Sequence, residues 1–115
     1  MKTEDLPVYR LAYDLTVHVV TCTKNFPKDY KYGLGDKLKN ECFVAVVLIF
    51  RANSAYIGQN RSKAIADCLE RIKTVEMILR LSKDLQLISI KQYSDTIELT
   101  HQIGKQLWGW YKSSS

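Results

Sequence analysis

Residues that bind metals or carry out catalysis are sparse in this chain. Histidine occurs only at His18 and His101, in separate segments, and a surface or boundary place is expected for each. The pair of Glu-x-x-His motifs that a di-iron helical site requires is absent, so Glu41 and Glu76 read as surface ion-pair acids. Cys22, Cys42 and Cys68 stand about twenty or more residues apart, without the close pairing of a zinc or redox motif. An odd number of thiols fits reduced side chains packed as small hydrophobes. No glycine-rich phosphate loop or nucleophile elbow occurs. These absences predict a protein that is not an enzyme and holds no metal or other cofactor.

Long apolar runs are missing too. The longest, Cys42 to Phe50, falls far short of the roughly 20 residues that cross a bilayer. Met1 to Asp5 carries one lysine and two acids before any apolar run, unlike a secretory signal. A cytoplasmic protein with no membrane partner is the expectation.

What the 115 residues do contain is a globular balance, 46% hydrophobic and 25% charged, with a net charge of +5. That suits one domain over 1–115 with its own core. Val8, Leu11, Ala12, Leu15, Val19 and Cys22 recur at helical spacing between Pro7 and Pro27. Pro7 belongs in a first turn, with Asp5 as its expected cap. Tyr9, Tyr13, Val17 and Val20 widen that stripe, which suggests more than one neighbour. After turn residues from Lys28 to Gly35, a second stripe runs through Leu34, Leu38, Cys42, Ala45, Ile49, Ala52 and Tyr56. Gly58 interrupts it, and Asn60 or Ser62 is expected to cap a third helix lined by Ile65, Cys68, Leu69, Ile72, Val75, Leu79 and Leu81. Ser89 and Gln92 have capping-box spacing before a fourth stripe, Ile90, Tyr93, Ile97, Thr100, Gly104, Leu107 and Tyr111, with a frayed tail from Ser113. The predicted fold is all-α: an antiparallel up-and-down four-helix bundle with helices near 7–25, 34–56, 61–85 and 89–111.

The second helix leaves no polar face between Phe43 and Phe50. A helix apolar all round must be covered all round, whereas a bundle of four covers one side. Phe43, Val46, Val47 and Phe50 are therefore the expected contacts with another copy of the chain. Lys73, Arg80 and Lys83, separated by seven and three, share an outward face of the third helix, and Arg61, Lys63 and Arg71 extend the positive charge. Asp67, Glu70 and Glu76 partly offset it. Assembly would repeat such a patch and strengthen phosphate binding. Trp108, Trp110 and Tyr111 can stack on bases or anchor a partner, although packing at the bundle end is the simpler expectation. Gly104 and Gly109 nearby are expected to allow close backbone approach.

The chain resembles a four-helix-bundle family with two groups. One is the accessory variability determinant of diversity-generating retroelements; the other is the protein encoded by intervening sequences in bacterial large-subunit ribosomal RNA genes. The likeness is carried by Leu6-Pro7-Val8-Tyr9, Phe26-Pro27-Lys28, Tyr32-Gly33-Leu34-Gly35 and the segment Gly104-Lys105-Gln106-Leu107-Trp108-Gly109-Trp110. Leu48 to Ser54 resembles the retroelement group, and the Asn-Ile-Ala-Glu-Gly segment of the other group is not present. The resemblance implies a homopentamer that binds the element's reverse transcriptase and an RNA or RNA–DNA hybrid, aiding mutagenic complementary-DNA synthesis. Arg80 and Lys105 match positions where that group carries bases; Glu76 departs from a position where relatives can carry one. Arg61, Lys63, Arg71, Lys73, Arg80, Lys83 and Lys105 are thus the predicted nucleic-acid contacts. The rival expectation is a non-catalytic homo-oligomeric scaffold that meets an acidic protein partner.

Overall fold

Each of the four apolar stripes becomes one long helix in the computed structural model, which describes residues 1–55 and 59–114. The helices are α1 (Pro7–Thr23), α2 (Asp36–Ser54), α3 (Gln59–Asp84) and α4 (Ile90–Ser114). No strand occurs among the described residues. Each helix packs on two others in a closed ring, α1 on α2, α2 on α3, α3 on α4 and α4 back on α1. The body is 43 Å long and 21–23 Å across. Its core runs along the ring's axis, where Leu15, Leu38, Ile49, Ile65, Ile72, Leu79, Ile103 and Leu107 are fully enclosed.

Local chemistry sets the helix ends, in places differently from expectation. Pro7 does occupy the first turn of α1, but Leu6 is the cap residue and no side chain bonds the helix end; Asp5 instead belongs to a short 3-10 turn, Thr3–Asp5. Lys28 to Gly35 is not an open turn. It forms a helical turn, Lys28–Tyr30, and a π-helical turn, Lys31–Gly35, that leads straight into α2. Gly35 lies there against Phe26 and Thr23 at the end of α1. Since α3 is already helical at Gln59, Asn60 and Ser62 lie inside its first turn rather than before it. The expected stripe end at Tyr56 and the break at Gly58 fall outside the described residues.

The turn between α3 and α4 is fully specified by backbone bonds. The Gln86 N–H donates to the Lys83 carbonyl and the Leu87 N–H to the Ser82 carbonyl, at 2.9 and 2.8 Å. This is the Schellman pattern, and Gln86 takes its left-handed position with φ 61°. The capping box then opens α4: Gln92 N–H donates to Ser89 Oγ at 3.0 Å and Ser89 N–H to Gln92 Oε1 at 2.8 Å.

Two expected stripes hold only in part: Ile65, Cys68, Ile72, Val75 and Leu79 of α3 and Thr100 and Leu107 of α4 are buried as expected, but other members are not. In α3, Leu81 faces solvent and Ser82 is buried, its hydroxyl satisfied by the Ile78 carbonyl at 2.8 Å. In α4, Ile90 is 79% exposed, and the buried line is Thr96, Thr100, Ile103, Leu107 and Ser114. Thr96 donates back to the Gln92 carbonyl at 2.8 Å and Thr100 to the Ile97 carbonyl at 2.9 Å, so burial leaves neither hydroxyl unpaired. The expected fraying is also corrected, because Ser113 and Ser114 are helical and the Ser114 carbonyl accepts from Ser62 Oγ at 3.3 Å. Gly104 and Gly109 mark no close approach: a Cβ at either would meet nothing within 4 Å.

All three cysteines are free and buried. Burial raises each thiol pKa, those of Cys42 and Cys68 to about 12, with the Glu41 charge adding to the effect at Cys42.

An L residue at a left-handed position costs roughly 1 kcal/mol. Gln86→Gly is therefore expected to raise the melting temperature by a few degrees, as measured by circular dichroism; an unchanged or lower value would show that Gln86 adds a compensating contact.

Candidate nucleic-acid interface and outer apolar face

The seven predicted basic contacts divide into two sets. Arg61 is committed to structure: its Nε donates to the Ala52 carbonyl at 2.9 Å, and Nη2 donates to the Ala55 carbonyl at 2.9 Å. These are last-turn carbonyls of α2, where a cation is favoured. The guanidinium also lies 5.8 Å from the Trp110 ring centroid. Arg71 points toward α2, where Nη1 donates to both Glu41 oxygens, at 3.1 and 3.0 Å. Lys63 is exposed beside a separate groove near Arg51 and Asp67.

Lys73, Arg80, Lys83 and Lys105 instead follow the seam between α3 and α4. Lys83 Nζ lies 4.7 Å from the Tyr93 ring centroid. Glu76 Oε2 accepts from the Thr100 hydroxyl at 2.8 Å and is 3.6 Å from His101 Nε2. Lys73 and Lys105 border the same groove farther along. Arg80 is exposed and, by helical spacing, stands on the face shared by Lys73, Glu76 and Lys83. Lys73 pairs with Glu76 at 3.3 Å and Lys83 with Asp84 at 3.6 Å. Each pair keeps one partner well exposed, Lys73 in the first and Asp84 in the second, and pairs so open to solvent are weak enough to admit phosphate.

Glu41 is a correction. It is no surface acid: its side chain is 2% exposed, paired with Arg71 and with Lys37 at 2.7 Å. Burial pushes its carboxyl pKa up, but hydrogen bonds from Lys37 and Arg71, with their charges, outweigh this and hold it below its ordinary value. Glu76, 17% exposed, is half-sunk in the α3–α4 seam, also unlike a free surface acid. Glu98 and His101 provide one Glu-x-x-His spacing, but His101 turns to Glu76 and Glu98 pairs with Gln102. No group of three or more metal-capable side chains forms among the described residues.

The outer side of α2 is apolar and open. Phe43, Val47 and Phe50 are 49%, 52% and 39% exposed, and Val46 is half-buried. Tyr13, Val17 and Val20 of α1 are exposed as well. Tyr9 joins the two helices, its ring 5.5 Å from Phe50 and 6.2 Å from Tyr13. The α1 share of this face was signalled only by the unusual width of its stripe.

Trp108 departs from simple end packing. It is 52% exposed and stacks on Tyr111, with centroids 5.5 Å apart. Trp110 packs against the core and beneath Arg61. Spacing gave no sign of the groove beside Trp108; the unusual glycine one turn earlier, Gly104, was the available signal.

A family model described as bAvd-like matches residues 8–114. The chain belongs to the bAvd-like family, the bacterial accessory variability determinants. The comparison with curated proteins gave no match. The match runs from the second residue of α1 to the end of α4. Among the described residues, no helix is long and apolar enough to cross a membrane.

Glu41→Gln is expected to destabilise the fold by about 1–3 kcal/mol, the range for a hydrogen bond to a charged group. Because the folded carboxyl pKa is depressed, its stabilisation is present above the ordinary carboxylate pKa and lost as pH falls through the folded value. The stability gap between parent and variant in urea melts should therefore narrow as pH falls from about 7 toward about 3; a constant gap would contradict this ion-pair account.

Proposed function

We propose that this protein is the accessory factor of a diversity-generating retroelement. In this reading, antiparallel up-and-down four-helix bundles assemble as a homopentamer in the cytoplasm. The assembly binds the element's reverse transcriptase and its RNA, or an RNA–DNA hybrid, and supports mutagenic complementary-DNA synthesis without being the polymerase or any other enzyme. The observation that carries the proposal is the family match across residues 8–114.

Two physical features support it. The exposed Phe43, Val47 and Phe50, with Val46 beside them, are suited to burial against another copy, as apolar subunit interfaces are. Lys73, Arg80, Lys83 and Lys105 along one seam suit phosphate contacts, which position a nucleic acid without reading its sequence. Arg61, Lys63 and Arg71 are peripheral in this proposal, the first and third being held by α2 carbonyls and by Glu41. The engagement of those two cations favours a second reading, a homo-oligomeric scaffold that docks an acidic protein and binds no RNA.

A salt titration against a labelled structured RNA separates the two. Several phosphate contacts give a steep loss of binding with rising salt, and Arg80→Glu combined with Lys83→Glu should reduce RNA retention at moderate salt by at least tenfold. Unchanged retention by a folded, assembled variant would overturn the nucleic-acid assignment; absence of binding at low salt would favour the scaffold. Light scattering tests assembly independently. The parent should be oligomeric at micromolar concentration and Val47→Glu should dissociate it, whereas a monomeric parent would refute the proposed interface.

A further inference from the structure

Between α3 and α4 lies an open groove of about 610 Å³, with Leu69 and Ile72 on one side and Gly104 and Trp108 on the other. Its shape depends on Gly104. Glycine is disfavoured inside a helix, and a Cβ here would meet nothing within 4 Å, so no packing within the chain requires it. Gly104 is one turn before Trp108, and Tyr111 stacks on that indole from the following turn. Gly104 and Trp108 both line the groove, and Lys112 Nζ lies 5.9 Å from the indole centroid, a further cation beside the ring.

The groove's rims are cationic. Lys73 stands on the α3 wall and Lys105 on the α4 wall, both exposed. The intervening acid is restrained: Glu76 accepts from the Thr100 hydroxyl at 2.8 Å and pairs with Lys73 at 3.3 Å. A half-exposed indole with an ammonium group on either wall matches the alternation of a flat base and flanking phosphates in single-stranded nucleic acid. An aliphatic peptide would leave Lys105 without an anionic counterpart and Lys73 with only its weak pair to Glu76. A paired base, already stacked within its duplex, would not reach the indole.

We propose that this groove receives one unpaired nucleobase stacked on Trp108, with Lys73 and Lys105 on its neighbouring phosphates. The proposal deepens, and rests on, the nucleic-acid reading above. It distinguishes a base-stacking place from the merely electrostatic contacts at Arg80 and Lys83.

The test uses the full chain carrying Trp110→Phe, which leaves Trp108 as the sole tryptophan. An eight-nucleotide single-stranded RNA is compared with its own duplex, following indole fluorescence and the anisotropy of a labelled strand. The single strand should quench Trp108, and the duplex should bind without quenching. Trp108→Ala should weaken single-strand binding by about tenfold, within the range for one stacked base, and Trp108→Phe should recover most of it. Gly104→Leu, whose Cβ would meet nothing within 4 Å, should fill the groove and cause a similar loss while preserving duplex binding. Equal quenching by the duplex, or single-strand affinity indifferent to Trp108→Ala, overturns the proposal. A Gly104→Leu variant that changes assembly but not binding does so too, by identifying the groove as a subunit contact. Failure of the parent to bind either RNA at low salt is the separate failure of the nucleic-acid reading itself.

Discussion

The structure depends on how much of α2 one chain can cover. Leu38, Cys42, Ala45, Ile49 and Ala52 meet the common core and are essentially inaccessible to water. On the opposite side of the helix, Phe43, Val47 and Phe50 stay open to solvent because α1 and α3 flank the helix without enclosing its outer side. Each helix in the ring has two neighbours, so an outer face remains on every one. On α2 and on α1 beside it that face carries Phe43, Val47, Phe50, Tyr13, Val17 and Val20, while α3 and α4 expose Met77, Leu81, Ile90 and Trp108 at other places. Subunit association, as proposed here, is the physical response to that imbalance.

The polar groups follow from the same geometry. Buried hydroxyls on Thr23, Ser82, Thr96 and Thr100 bond back to carbonyls of their own helices, allowing these residues to stand at core positions. No buried side-chain nitrogen or oxygen lacks a partner among the described residues. Arg61 closes the end of α2, and Glu41 draws Arg71 and Lys37 together across α2 and α3. Charges that look alike along α3 thus do different work. Some hold helices together, while Arg80 and its neighbours on the α3–α4 seam face outward.

Much of the fold was legible because three-and-four spacing reports which residues share a helix face. The α1 stripe, the α2 core line and the Ser89–Gln92 box correspond directly to structure. Spacing is less informative where two adjacent lines are equally plausible. In α4 the expected and observed lines share Thr100 and Leu107, but the structure buries Thr96 and Ile103 where the expected line ran through Ile90 and Tyr93. The hydroxyl-to-carbonyl bonds that make threonine suitable for burial appear only once the helix is formed. The candidate site was half legible: charge spacing found the α3 bases, but a list of charges does not tell which cations will be consumed by carbonyls or carboxylates.

The sequence by itself determined four helices, a surplus of apolar surface on the second, buried thiols and membership of a recognisable family, because these depend on local periodicity and motif. Tertiary structure decided that Glu41 is buried, that Arg61 and Arg71 bind within the chain, and that Trp108 borders an open groove. Each of those depends on which residue from another helix arrives within a few ångströms, a relation that linear spacing does not encode.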